Sequence, residues 1–378
     1  MSHSTWRRSK ALYLPLAAIS LILFLLWTPL PQQYHNGRHA VVQGVVDAAK
    51  PYLPKIEHTY KPIPPGEVIT LENVTSKYAF ATFLAGTDQH YEYNDDHYFI
   101  AIRILAYQML HATGTKSEDS AIPFLVLVTQ KVPEYQRQRL REDGAIVVAV
   151  PSITPEWVHP SIANWDEMMT KLRLWELTQF DRICFLDGDT QLLGPLDGIF
   201  SDPAVTDQTS GVEAKGIKGD EGPLPKQYVF AGTPEMNHAH HYPPSDENHD
   251  YPNIDYFNAG FFVLKPSIDV LDYYISVMNI PGRFEDGMPE QNLLNYAHRR
   301  HSEGGNMPWT QLANTWNIHY PSVDDVNGGV RTIHEKWWQP PDGLRLYMES
   351  WRWRMEGFQE ARDQLRAASA KGMKLSSS

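Results

Sequence analysis

The chain has 378 residues, with 33 Lys plus Arg against 45 Asp plus Glu, a formal charge of −12. Hydrophobic residues make up 42% and charged residues 21%, which excludes broad disorder, and the acidic balance argues against a nucleic-acid binder, which would show a basic patch. The single cysteine, Cys184, excludes a disulfide framework and a zinc site built on several thiolates, so any metal must be held by Asp, Glu and His.

Residues 11–30, ALYLPLAAISLILFLLWTPL, carry no charge and follow Arg7, Arg8 and Lys10. About twenty apolar residues span a bilayer as a helix. The basic flank predicts a cytoplasmic tail over 1–10 and translocation of the rest. The run is longer than an ordinary signal-peptide core and no clear cleavage site follows it, so a retained signal anchor is favoured over a cleaved signal. Residues 31–75 are rich in Pro and polar residues and read as an extended stem. Asn73-Val74-Thr75 is a glycosylation sequon that fits a lumenal stem.

From residue 76 strands and helices alternate. Residues 78–84 (YAFATFL) read as a strand ending at Ala85-Gly86-Thr87, and 97–113 have helical apolar spacing. The continuous apolar runs 123–129 and 145–150 read as strands buried on both faces, separated by a polar helix over 134–142. A helix over 171–178 precedes a strand over 182–186. This alternation predicts an α/β fold with a mainly parallel sheet, whose ligands bind beyond the carboxyl ends of the strands. Residues 201–255, rich in Gly, Pro, Asp and His, break the pattern and read as a long irregular insertion. Its histidines, within Asn237-His238-Ala239-His240-His241, read as a solvated loop rather than a metal site, because no carboxylate or cysteine completes a ligand spacing. Residues 347–370 read as a helix packed on the domain.

The strongest chemical signal is the strand that runs into Asp187-Gly188-Asp189-Thr190. Residues i and i+2 of an extended chain share a face, so both carboxylates reach one cation at the strand's end. Without a cation they repel. Oxygen ligands suit Mn²⁺ or Mg²⁺, and such an ion neutralises charge on a diphosphate leaving group. Two enzyme classes place Asp-x-Asp after a strand. Haloacid-dehalogenase-like phosphatases want Thr or Val two residues after the second Asp, where this chain has Gln191, and their motif opens the domain. Nucleotide-sugar transferases carry it mid-domain, as here.

Residues 171–190 (KLRLWELTQFDRICFLDGDT) resemble glycosyltransferase family 8, the glycogenin and galactinol synthase group. Further blocks follow in the family's order: Ala85-Gly86-Thr87, then 256–267 (YFNAGFFVLKPS), 290–295 (EQNLLN) and 333–338 (IHEKWW). The resemblance covers roughly 78–340. It implies a GT-A fold, a Rossmann-like nucleotide half joined to an acceptor half, over 76–345, with a C-terminal helix and tail over 346–378. It implies retaining transfer of a hexose from a UDP-sugar, with Mn²⁺ or Mg²⁺, to a glycan or glycoconjugate. Carried over by position, Asp187, Asp189 and His334 would bind the metal, with Gly188 in the same cofactor-binding turn. Lys336 would hold the diphosphate, and Lys171 would contact the donor. Ala85, Gly86 and Thr87 would line the base and ribose. Asn258 and Gln291 would meet the donor sugar at the transferred carbon, so that Asn258, Gln291 and Asp187 carry catalysis.

No side chain stands out as a covalent nucleophile, which favours attack by the acceptor hydroxyl on the face the diphosphate leaves. A sugar trapped on Asp286 or Glu290 would overturn this. Tyr91 is a candidate to stack on the base. Trp309, Trp316, Trp337 and Trp338 are expected mostly in the core. The chain departs from the family in two places: only Glu335 separates His334 from Lys336, and Glu290 stands where the family has Asp. With the anchor, the expectation is a single-pass type II Golgi enzyme like the family's fungal membrane-anchored members. The alternatives are a glycogenin-like self-glucosylating initiator and a catalytically silent nucleotide-sugar binder.

Overall fold

The computed structural model describes residues 60–370, apart from 88–90, 163–164, 213–215, 217 and 301–302. The expected tail, anchor and stem up to residue 59 lie outside the described residues, as does the chain after 370. Among the described residues no helix is long and apolar enough to cross a membrane.

Tyr78–Leu84 forms β1. Ala79, Ala81 and Phe83 face one core and Phe80 and Leu84 the other, the period-2 alternation of a strand buried on both sides. His97–Leu110 is α1, capped by Asp96, whose carboxylate accepts from Phe99 N at 3.1 Å. Phe124–Val128 (β2) is buried throughout. Glu134–Asp143 (α2) ends on Gly144 at φ 110°, and Ile146–Ala149 is β3. The segment expected as a helix over 171–178 is a 3₁₀ segment, Met168–Glu176. The threefold repeat sets Met169, Leu172 and Trp175 in one row, and all three are buried in the core.

Arg182–Leu186 is β4 and Thr190–Leu192 is β5. The irregular reading of 201–255 needs correction. Gln208–Thr209 (β6) pairs with Gln227–Tyr228 (β7), and Phe230–Pro234 (β8) is a fully buried strand of the main sheet. Its sequence disguises it, since Gly and Pro are depleted in strands. Gly232 leaves room for Phe257, 3.1 Å from where a Cβ would sit, and Pro234 lies at a register shift. Phe257–Leu264 (β9), Ile268–Met278 (α3), Pro289–Ala297 (α4), Thr310–Gln311 (β10), Asn317–His319 (β11), Val323–Gly328 (α5), Thr332–His334 (β12) and Arg345–Ala370 (α6) follow.

The main sheet has the order β10-β8-β9-β4-β1-β2-β3. Strands β1 to β4 are parallel, and β9 runs antiparallel to both β4 and β8. The strand order switches direction at β1, and ligands bind outside the carboxyl ends at such a switch. A second sheet, β11-β12-β5, begins directly after the two aspartates. As expected, α6 packs on the domain: Met348, Trp351 and Met355 share a core with Ile100 and Ile104 of α1. Trp309 and Trp337 are buried, and Trp316 and Trp338 are partly so.

Residues 60–75, read as the end of the stem, lie along the body as a strap. Ile63 N donates to Asn279 Oδ1 at 2.7 Å, Gly66 N to Asp272 Oδ1 at 2.9 Å and Glu67 N to Glu176 Oε1 at 3.0 Å. Tyr60, Ile63, Ile69, Leu71 and Val74 pack on the core.

Candidate active site

The buried strand β4 delivers Asp187 and Asp189 to the sheet's carboxyl edge. Asp187 N donates to Gly260 O at 2.8 Å, continuing the ladder with β9. The chain then turns into β5, whose Thr190 is the register partner of His334 on β12. Glu335 N donates to Asp189 O at 3.2 Å. Two short strands thus bring a histidine from far along the chain onto the aspartates. His334 Nε2 lies 3.1 Å from Asp189 Oδ1 and 3.9 Å from Asp187 Oδ2, and one ligand atom from each residue falls within 4.8 Å of the others.

Two glycines make this packing possible. A Cβ at Gly260 would lie 2.1 Å from His334 Cε1, and one at Gly188 would lie 2.7 Å from Ile102 on α1.

Lys171, from the 3₁₀ segment, is buried, with Nζ 2.7 Å from Asp187 Oδ1 and 3.0 Å from Glu290 Oε1 at the start of α4. It ties Asp187 to the neighbour of Gln291. Burial opposes its charge, but Asp187 and Glu290 outweigh burial and hold its pKa up. Burial pushes the Asp187 carboxyl up and Asp189 adds to that, with Lys171 and His334 offsetting only part. Burial also acts on Asp189, but His334 and Lys336 outweigh it and hold that carboxyl low. Burial disfavours a charged His334, yet Asp189 and Asp187 hold its pKa up. The donor set, two carboxylates and an imidazole, fits a hard or borderline divalent cation such as Mn²⁺ or Mg²⁺.

Asn258 and Gln291 are joined through a residue that the sequence reading missed, Glu235, just past β8. Asn258 Nδ2 donates to Glu235 Oε2 at 2.9 Å and Gln291 Nε2 at 3.3 Å. The other ends of both amides are tied to backbone: Gln291 Oε1 accepts from Ala259 N at 2.8 Å and Asn258 Oδ1 from Gly260 N at 2.9 Å. His319 Nε2 lies 3.0 Å from Glu235 Oε1 and 2.6 Å from Met236 N. Burial raises the Glu235 pKa, but His319, Asn258 and Gln291 outweigh burial and keep it low. The missed signal was positional: Glu235 stands at the carboxyl end of a strand whose Gly and Pro hid it.

Ala85, Gly86 and Thr87 are half-buried at the end of β1, beside β4. Gly86 N donates to Thr129 Oγ1 at 2.8 Å, and a Cβ there would collide with Lys131 at 2.3 Å. Lys336 is half-buried and close enough to Asp189 to lower its pKa. Tyr98, on the first turn of α1, is 46% exposed. Burial and then Asp189 and Asp187 hold its phenol un-ionised, which puts an exposed ring at the site that the sequence reading did not single out.

The insertion's histidines divide: His238 and His241 are exposed, as expected of a solvated loop, whereas His240 is buried on a carboxylate. His240 Nε2 lies 3.2 Å from Asp325 Oδ2, with side chains 1% and 0% exposed. His241 N and Nδ1 each lie 3.0 Å from Asp250 Oδ1, and the His238 ring stacks on Tyr320 at 3.7 Å.

No family model matches the chain. An uncharacterized protein of Schizosaccharomyces pombe is 27% identical over 288 residues, covering 68% of this chain and 74% of that protein. Galactinol synthase 5 of Arabidopsis thaliana is 27% identical over 240 residues, covering 61% of this chain and 64% of the plant protein. These similarities support a family 8-like hexosyltransferase. Among solved structures, a galactosyltransferase, LgtC, crystallised with donor and acceptor sugar analogs, is 13% identical with a TM-score of 0.43, covering 74% of this chain and 95% of that one, a likeness that by itself decides nothing. For such a hexosyltransferase the chain presents a charged half (Asp187, Asp189, His334, Lys336) and a hydrogen-bonding half (Glu235, Asn258, Gln291), with Lys171 bridging toward Glu290.

Proposed function

We propose that the chain is a retaining, GT-A hexosyltransferase that moves a hexose from a UDP-sugar to a glycan or glycoconjugate acceptor. The observation that carries this reading is the convergence of Asp187, Asp189 and His334 at the strand-order switch. Those three residues would hold Mn²⁺ or Mg²⁺, which when bound supplies positive charge to a diphosphate leaving group. Lys336 faces the same place and adds a second positive charge. Lys171 holds Asp187 and Glu290 in fixed orientation rather than pointing free into the pocket. Ala85, Gly86 and Thr87 line the nucleotide side, where the Tyr98 ring offers a stacking face for the base.

On the other side, Asn258 and Gln291 are pre-oriented by Glu235 and by the β9 backbone, which fits them to orient the donor sugar without reorganisation. Asp286 accepts from His159 N at 2.8 Å and Glu290 is engaged by Lys171, so neither stands free as a nucleophile. Direct attack by the acceptor hydroxyl on the departing face accounts for retention. A hexosylated Glu235, Asp286 or Glu290 found by peptide mass spectrometry would refute this step.

The decisive test is UDP binding by calorimetry on the full chain, with and without Mn²⁺, in wild type and Asp189→Ala. Mn²⁺-dependent binding lost in Asp189→Ala is expected. Absence of UDP binding in every condition would remove the reading and return the aspartates to phosphatase or structural roles. The apolar run 11–30 makes this a type II Golgi membrane enzyme in the same proposal. Alkaline carbonate extraction and a glycosidase-sensitive mass shift at Asn73 test that part.

A further inference from the structure

The His-rich loop joins β8 to β9. Its base is fixed by β8 and β9, so it starts beside Glu235 and ends beside Asn258. It is braced along its length. Asn237 N donates to Asp250 O and Asn237 Nδ2 to His249 O, both at 2.8 Å. His240 is locked onto Asp325, and the Asp250 carboxylate accepts from the His241 and Ser245 backbone nitrogens at 3.0 and 2.9 Å. Between these anchors His238 is exposed and lies flat on Tyr320, with ring centroids 3.7 Å apart and planes at 27°.

Tyr320 is itself held in an unusual place. It follows His319, whose register partner across β11 and β12 is His334, so Tyr320 and Glu335 leave the sheet side by side at the cation site's edge. Its φ is 55°, a left-handed conformation that a bulky residue adopts only when its surroundings impose it, as happens at ligand clamps. Its ring also meets the His319 ring at 5.0 Å, and His319 Nε2 lies 3.0 Å from Glu235 Oε1; burial first, and then the charges of Glu235 and Glu335, raise the pKa of the Tyr320 phenol.

We propose that the stacked rings of His238 and Tyr320, with the Glu235 carboxylate beside them, bind the acceptor, and that this acceptor is a neutral pyranose. Flat rings suit the C–H face of a sugar, and carboxylates accept its hydroxyl hydrogen bonds. Glu235 and Glu335 repel an acceptor that carries phosphate or carboxylate. Preorganisation of the loop lowers the ordering cost of a weak ligand. The inference rests on the transferase reading above, since it assigns that site's second substrate.

The test uses the full chain, with UDP and Mn²⁺ as donor-side probes and a panel of neutral methyl hexopyranosides as acceptor-side probes, read by calorimetry and saturation-transfer NMR. The variants are His238→Ala, at an exposed position, and Tyr320→Gly, which suits the local φ. At least one methyl glycoside is expected to bind, about tenfold more weakly in either variant, with UDP binding unchanged. Glycoside binding equal to wild type in both variants overturns the proposal. So does a wild-type chain that binds UDP but no glycoside. A chain that binds a glycoside through these rings but no UDP upholds the platform and sinks the transferase reading instead.

Discussion

Two histidine–carboxylate contacts in this molecule look alike at short range and differ in everything around them. His240 Nε2 stands 3.2 Å from Asp325, and His334 Nε2 stands 3.1 Å from Asp189. Asp325 is fully buried and spoken for: Oδ2 accepts from Ser322 N and Ser322 Oγ, both at 2.7 Å, as part of a capping box on α5. One imidazole meets one carboxylate and nothing is left over. At His334 a second carboxylate, Asp187, joins the first, and their side chains are 24% and 12% exposed. Acidic oxygens outnumber the donors that face them, and they open to solvent. The closed pair is a fastener. The open one has the donor set of a cation site, and its surplus of carboxylate oxygen sets it apart.

Charge on the open side is balanced by Lys171, so Lys171→Met should give the largest effect. It strips the lysine from buried Glu290 and leaves Asp187 only the more distant His334, at a cost of about 3–5 kcal/mol, measurable by denaturant unfolding. Added Mn²⁺ should recover part of that loss, because a cation replaces the missing charge. Next comes Asp189→Ala, which should weaken Mn²⁺-dependent UDP binding and transfer at least about 100-fold, beyond the range of outer-shell changes. If His334–Asp189 were a fastener like His240–Asp325, the same variant would lower the melting temperature and leave UDP binding alone.

Gly260→Ala drives a methyl into the His334 ring and should cost about 1–3 kcal/mol by overpacking, with Mn²⁺ affinity falling in parallel. On the closed side, Asp325→Asn should cost about 1–2 kcal/mol of stability with UDP binding unchanged, read from melting curves and calorimetry.

The smallest effect is that pair's pH dependence. Burial opposes charge on both partners, yet each holds the other charged: His240 titrates above its ordinary range and Asp325 below its own. The His240 contribution is therefore complete below about pH 6.5 and fades as pH rises through its elevated pKa. The Asp325 contribution is complete above about pH 3.9 and fades as pH falls through its lowered pKa. Melting temperature should gain most from the pair between those limits, and the alkaline decline should flatten in Asp325→Asn.

Sequence showed the parallel half of the sheet plainly, because β2 is an unbroken apolar run and β1 and β4 are largely apolar, so that their burial leaves little choice. It showed Asp187 and Asp189 because spacing along one strand is local information. His334 was reached only through the family resemblance, since what brings it to Asp189 is the pairing of two three-residue strands, and no local pattern encodes that. β8 was hidden by glycine and proline that it needs for packing against β9, and with it Glu235 was lost. His240 was misread because its carboxylate lies on another element: Asp325 is a helix-capping residue far downstream.

The strap over 60–75 sets where the polypeptide can be shortened. Trimming to residue 76 would bare the apolar seat of Tyr60, Ile63, Ile69, Leu71 and Val74 and strip backbone donors from Asp272, Glu176 and Gln179. Trimming to residue 60 keeps those contacts. A water-soluble version of this protein should therefore begin ahead of Tyr60, and one begun after the strap should aggregate before its chemistry can be measured.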